Sequence, residues 1–353
     1  MNFIITILIL IVMLSLIICI HEFGHFITAK KSGVYVDEFS MGMGPTLLKY
    51  KPKKSETTYC LRLFPIGGFV SMAEKVDPDN KTIKKERVLE NKSFLRQFMV
   101  LIAGIFMNCV LAIILFFISG LAYGMPVEEP IVKSVVEGKA AQIAGIEAGD
   151  RILKVNGVSI KSWDDFLLEA SGKKIKDNYV LTVSKTDGRV VDYNLVPEIV
   201  VVKKQEVTRF GIEAVGTVYH KGFVNALKYS VIGFYDTSKT ILKILGSLFT
   251  GQVSLKSLSG PVGIYSIVDD VKHYGLETII YLTAYLSINV AIMNLLPVPV
   301  FDGGRILLLI IEKVTKHKSS EKVELIINYI GFGLMILLML YVTFNDIVKL
   351  VVK

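Results

Sequence analysis

Cys19-Ile20-His21-Glu22-Phe23-Gly24-His25-Phe26 interrupts an apolar run at the N-terminus. No charged residue occurs from Phe3 to Ile20, and then two imidazoles and a carboxylate arrive within five residues. If Phe3 to Ala29 forms one helix, His21 and His25 lie one turn apart on the same face. That spacing lets two imidazole nitrogens converge on one zinc ion, with Glu22 beside the open coordination position as a general base. The plainer alternative is the polar end of a membrane helix, but ionisable groups inside a membrane segment are costly and by default mark function.

Composition supports a membrane setting. Hydrophobic residues make up 52% of the 353, and mean hydropathy is positive. Several apolar runs reach the roughly 20 residues needed to cross a bilayer. The net charge of +8 therefore reports topology rather than nucleic acid, for which no site is expected. Cys19, Cys60 and Cys109 have no metal-type spacing and make no disulfide framework. The first run has neither a basic leading region nor a small-residue cleavage site, so it reads as a retained span rather than a signal peptide.

Lysines and arginines crowd the connection between residues 30 and 96, including Lys30, Lys31, Lys49, Lys51, Lys53, Lys54, Lys81, Lys84, Lys85, Arg87, Lys92 and Arg96. The positive-inside rule places this loop in the cytoplasm and the N-terminus outside. Within it, Thr57 to Leu63 reads as a strand, and Phe64-Pro65-Ile66-Gly67-Gly68-Phe69-Val70 as a turn leading into a second strand. This is either an ordinary hairpin or one that dips into the membrane, where its free edge could take an extended substrate.

Phe98 to Leu121 reads as the second span, with the small pair Ala103-Gly104 and a lone polar residue, Asn108. Its far flank is much less basic, which puts the following module outside. That module alternates strand and turn signals: Ile131 to Val136, a short helix at Ala140 to Ala144, and then Gly145-Ile146-Glu147-Ala148-Gly149-Asp150. An Asn156-Gly157 turn, a capping box from Ser162 to Asp165, and a hairpin around Asp187-Gly188 follow. The pattern resembles a PDZ domain.

Phe223 to Phe249 carries apolar residues at helical spacing and four charges on other faces. It reads as an amphipathic helix on the outer membrane surface or as a buried soluble helix. The third span, from about Leu276, ends in Asn294-Leu295-Leu296-Pro297-Val298-Pro299-Val300-Phe301-Asp302-Gly303-Gly304-Arg305. Two prolines break the helix there, and it is expected to restart at Arg305. Lys313, Lys316, Lys318 and Lys322 then form a second cytoplasmic patch before a last span from Leu325 to Val342. Both termini are thus expected outside, with His21 and Asp302 on one side of the bilayer.

A catalytic zinc needs a third protein ligand. Asp302 is the strongest choice, because it follows a broken helix at the membrane face that holds the histidines; Glu312 and Asp346 are weaker. His220, His273 and His317 sit in polar surroundings. Asn294 could donate a hydrogen bond to the substrate backbone or to a developing oxyanion.

Taken in order, these stretches resemble the site-2-type intramembrane zinc metalloproteases, of the bacterial sigma-factor-regulating group with one PDZ domain. The resemblance runs through His21 to His25, Gly42-Met43-Gly44-Pro45, Phe64 to Val70, the PDZ-like module, Ser259-Gly260-Pro261-Val262-Gly263-Ile264, and Asn294 to Gly304. It departs mildly at Phe301 and Met43. It implies zinc ligation by His21, His25 and Asp302, catalysis by Glu22, and substrate contact from Asn294, Gly67, Gly68 and Phe69. It also implies a multi-pass protein of the cytoplasmic (inner) membrane, whose extracytoplasmic module screens substrates by size. The implied substrates are spans of anti-sigma factors already cut once by another protease, or signal-peptide remnants.

The expected architecture is a polytopic α-helical membrane protein of four transmembrane helices, with an inserted α+β PDZ-like domain and a membrane-associated β-hairpin. Its segments are 1–124 (two spans and the hairpin loop), 125–215 (the PDZ-like domain), 216–255 (the amphipathic region) and 256–353 (two spans and Asp302). Two other classes compete: a PDZ scaffold holding structural zinc, and a zinc transporter. A structural site would want a fourth protein ligand and has no use for Glu22. A transporter would spread its ionisable residues across the membrane instead of gathering them near one face.

Overall fold

A computed structural model describes residues 2–75, 83–170, 178–202, 205–251, 254, 258–317 and 320–352; Lys81 and Lys318 of the basic patches lie outside them. The chain divides into two compact units, one of residues 1–122 and 226–353, the other of residues 123–225.

The first unit begins with α1 (Asn2–Lys31), which ends on two lysines. Two long strands follow, β1 (Val36–Tyr50) and β2 (Thr58–Met72). This differs from the expected hairpin inside residues 57–70. The first half of β1 instead lies between the two halves of β2: Phe39 meets Val70 and Tyr59, Ser40 meets Phe69 and Cys60, and Met41 meets Gly68 and Leu61. The bends this requires fall at Gly42 (φ 86°), Gly44 (φ 84°) and Gly67 (φ 98°), in a region of backbone space that side chains resist. Arg87, beyond the strands, pairs with Glu56 at 2.6 Å, and its guanidinium holds that carboxyl below the usual range despite partial burial. Next comes α2 (Phe94–Ala122).

The second unit is a β-rich insertion. It contains β3 (Met125–Glu128), β4 (Val132–Val135), α3 (Ala140–Ala144), β5 (Arg151–Val155), β6 (Val158–Ser159), α4 (Trp163–Ala170), β7 (Tyr179–Ser184) and β8 (Val190–Leu195). Four more strands follow, none of them anticipated: β9 (Glu198–Val202), β10 (Gln205–Arg209), β11 (Ile212–Ala214) and β12 (Thr217–His220). The central sheet runs β6-β5-β7-β8, and β3 pairs with β12, β4 with β11 and β9 with β10. Its core buries Ile146, Ile152, Tyr179, Leu181, Val183 and Leu195. Gly145 ends α3 in the left-handed region, and Asp150 folds the next turn by accepting the Glu147 N–H (2.8 Å) and Lys185 Nζ (3.0 Å). The capping box forms, with Ser162 Oγ accepting from Asp165 N–H at 3.1 Å.

The chain then returns through α5 (Phe223–Phe249), α6 (Pro261–Val271), α7 (Leu276–Leu295), α8 (Asp302–Thr315) and α9 (Glu321–Val352). Helix α6 was not foreseen. Its first turn is held by Asp346 of α9, whose buried carboxylate accepts the N–H groups of Gly260 (2.7 Å) and Gly263 (2.9 Å). Helix α8 starts at Asp302 rather than Arg305, and α9 outruns the expected 325–342 at both ends. Among the described residues four helices are long and apolar enough to cross a membrane: Phe3–Lys31, Phe94–Ala122, Leu276–Leu295 and Lys322–Lys349. The fold is therefore a polytopic helical membrane protein with a β-rich insertion.

Small residues set the packing of the spans. Ala284, Ser287 and Ala291 line one buried face of α7. Gly24 of α1 lies against the main-chain carbonyl of Ala103 in α2, where a Cβ would collide. In hydrocarbon there is little hydrophobic gain from helix association, so this close approach supplies the cohesion.

Candidate metal centre

Helix α1 places His21 and His25 on the face turned to α2, where both are buried at under 10% exposure. Their rings meet edge-on, with centroids 4.9 Å apart. The space they occupy exists because residue 104 of α2 is glycine. A Cβ there would strike His25 Nε2 and lie 2.7 Å from His21 Nε2.

Asp302 reaches the same point from the other end of the chain. Pro297 and Pro299 end α7, Val300 takes the unusual φ of 89°, and Phe301 precedes the first turn of α8. A positive φ at a β-branched residue is a strained conformation that the surroundings must enforce. Gly303 and Gly304 allow the reversal, since side chains there would meet the carbonyl oxygens of Leu295, Leu296 and Val298. At the start of α8, the Asp302 carboxylate also gains from the helix dipole.

Three donor atoms converge. Asp302 Oδ2 is 3.1 Å from His21 Nε2 and 3.3 Å from His25 Nε2, and the two nitrogens are 3.3 Å apart. Tetrahedral zinc with bonds near 2.0–2.1 Å separates its ligand atoms by about 3.3 Å, so the triangle has the dimensions zinc requires. These residues are a candidate metal site.

Glu22, Asn294 and Arg305 line the pocket that holds the triad. The Glu22 side chain lies against β2, its Cγ 3.6 Å from where a Cβ at Gly68 would sit. The second half of β2 thus runs beside Glu22, and among the described residues no further strand pairs with its outer edge. Gly67 packs on Met43, and Phe69 lies under the Arg62 guanidinium, 5.1 Å from the ring centre. Arg305 forms a two-point ion pair with Glu74 (Nη1–Oε1 3.1 Å) at the rim. Glu312 and Asp346 do not join the cluster. Two participants carried no motif of their own in the sequence: Gly104, which admits the rings, and the Val100 carbonyl, which lies 2.8 Å from His25 Nδ1.

Two imidazoles and a carboxylate at zinc spacing, with a second carboxylate in the same pocket, are the residues that a membrane zinc metalloprotease needs. The profile of peptidase family M50 matches residues 9–338, and the chain belongs to that family. A relative from Clostridium acetobutylicum is 34% identical over 97% of both chains. The regulator of sigma-W protease RasP of Bacillus subtilis is 30% identical over 99% of both, and the zinc metalloprotease RasP of Bacillus licheniformis is 31% identical over 98% of this chain. Among solved structures, the PDZ domain of the SdrC-like protein of Listeria innocua is 26% identical. It overlays 26% of this chain and 99% of its own, with a TM-score of 0.22.

Proposed function

We propose that the protein is an intramembrane endopeptidase that cuts the membrane span of single-pass proteins, with His21, His25 and Asp302 as zinc ligands and Glu22 as general base. The observation that carries this is the Nε2–Nε2–Oδ2 triangle set inside the span bundle with Glu22 in the same pocket. Zinc held by His21, His25 and Asp302 would supply a water acidic near neutral pH and Lewis-acid polarisation of the scissile carbonyl. Glu22 takes the proton of the attacking water and returns it to the leaving amine. Asn294 donates to the substrate backbone or the oxyanion. A helical peptide bond is hidden by its own hydrogen bonds, so the substrate must first unwind. Pairing with the outer edge of β2 at Gly67 to Phe69 stabilises that extended form and lays it beside Glu22. Purified protein given a model single-span substrate tests the assignment: His21→Ala, His25→Ala and Asp302→Ala each lose bound zinc and cleavage together. A variant that cleaves at the wild-type rate after losing one of these side chains removes that residue from the ligand set.

The substrate class follows the similarity to RasP, whose name makes it a regulator of sigma-W. Spans of anti-sigma factors trimmed by an earlier protease fit it, and so do signal-peptide remnants. The basic loops face the cytoplasm of a cell whose inner membrane holds the protein, and both termini and the insertion lie outside. Cysteine labels between residues 81 and 85 are then shielded from an impermeant reagent in intact cells, while labels near Asp187 react. The reverse pattern inverts the topology.

The insertion acts as a PDZ-like size filter rather than part of the catalytic machinery. Replacing residues 127–200 with a flexible linker leaves cleavage of a short substrate intact and admits a full-length substrate that the intact enzyme spares. Loss of short-substrate cleavage in a folded, zinc-loaded deletion protein rules the filter out. Helix α5, with apolar and charged faces, packs part of its apolar face on α2 and α7 through Ala226, Tyr229 and Ile241.

A further inference from the structure

The two histidines are supported differently, and the difference points beyond the ligand set. His25 Nδ1 faces the Val100 carbonyl, which only accepts, so Nδ1 carries the ring proton and the Nε2 lone pair is free for a metal. His21 Nδ1 faces instead the side-chain amide of Asn108 on α2, with Nδ2 at 3.3 Å. Asn108 is 0% exposed, and its Oδ1 has no hydrogen-bond partner among the described residues. The main-chain carbonyl of Asn108 accepts from Ser287 Oγ of α7 at 2.9 Å, which fixes the part of α2 from which the amide projects.

An amide nitrogen donating to His21 Nδ1 needs the lone pair there. The ring proton then sits on Nε2, where it blocks ligation. A half-turn of the amide about Cβ–Cγ exchanges its two ends and brings Oδ1 to His21 Nδ1. The ring proton is then held on Nδ1, and Nε2 is presented to a metal. Either orientation leaves one end of the amide without a described partner, so the tautomer of His21 decides which is adopted. Burying an amide in a membrane helix is costly when an apolar side chain would pack there freely. If Asn108 served only to join α2 to α7, its side chain would make that contact, whereas its main chain does.

We infer that Asn108 is the positioning residue of the metal centre: in the zinc-bound protein Asn108 Oδ1 accepts the Nδ1 proton of His21, setting the tautomer and ring orientation of that ligand. This rests on the ligand assignment proposed above. The partner of a metal-binding histidine normally contributes about 10–100-fold in metal affinity.

The test is competition for zinc between a chromogenic chelator and the purified full-length protein in detergent, read for wild type, His21→Ala, Asn108→Ala and Asn108→Asp. Asn108→Ala is expected to weaken zinc binding by about 10–100-fold, and Asn108→Asp, which keeps an acceptor oxygen at Nδ1, to bind at least as tightly as wild type. Rescue by aspartate separates this role from a structural one, because a carboxylate at an otherwise unpaired buried position would only destabilise. Wild-type affinity in Asn108→Ala overturns the inference, and so does a loss in Asn108→Asp as large as that in Asn108→Ala. If Asn108→Ala fails to accumulate, Asn108→Leu, similar in shape without donor or acceptor, takes its place in the comparison. Wild-type affinity in His21→Ala is the separate result that removes the ligand assignment itself.

Discussion

Glu22→Gln protein is expected to hold zinc as wild type does while its cleavage of a single-span substrate falls by at least ~10²–10⁴-fold, the usual contribution of a positioned base. The substitution keeps the shape of the side chain and leaves His21, His25 and Asp302 untouched. What it removes is the capacity to take a proton. Zinc content per chain and the cleavage rate, measured on one preparation, separate the two functions. Near wild-type turnover by Glu22→Gln would defeat the proposed mechanism. Loss of zinc along with activity would show that Glu22 holds the site together, and the rate could then no longer be read as chemistry.

The second large effect is expected from a residue with no chemistry. Gly104→Ala adds one methyl group to α2, and that methyl would lie 2.7 Å from the ring of His21 and closer still to His25 Nε2, well inside contact distance. The rings can move away only toward the pocket they line, and His25 must then give up its contact with the Val100 carbonyl. The helices must part or the rings must rotate out of register, and in either case the three donor atoms separate. Gly104→Ala is therefore expected to lose zinc and activity as completely as the ligand variants, while the membrane-inserted chain still accumulates. Gly333→Ala in α9 is the control, because a Cβ there meets nothing within 4 Å. It should leave zinc and activity unchanged and favour the helix by up to ~1 kcal/mol. Full zinc occupancy in Gly104→Ala would show that α1 and α2 pack differently from the arrangement described here.

Much of this protein was legible because the relevant signals are short-range. His21 and His25 lie one helical turn apart, so their common face follows from helix geometry alone. Asp302 was legible through the two prolines and two glycines around it, which mark a broken helix, and through the charge pattern that put that break at the histidine end. In the insertion, turn residues such as Asn156, Gly157 and Gly188 take positive φ where their chemistry favours it.

Other features were decided only when distant stretches met. The sequence around residues 36–50 does not show that the first half of β1 will lie between both halves of β2, because that register depends on three glycine bends and on pairing across intervening loops. Nothing near Gly260 announces that a carboxylate at position 346 will hold the start of α6. Ala103-Gly104 and Asn108 stood out as small and polar residues in an apolar span, but small residues specify close approach without specifying to what. That Gly104 admits two imidazoles, and that Asn108 faces one of them, are facts about α1 meeting α2. Local periodicity fixes which face of a helix is buried; tertiary packing fixes what that face touches, and in this protein the contact is the candidate metal site.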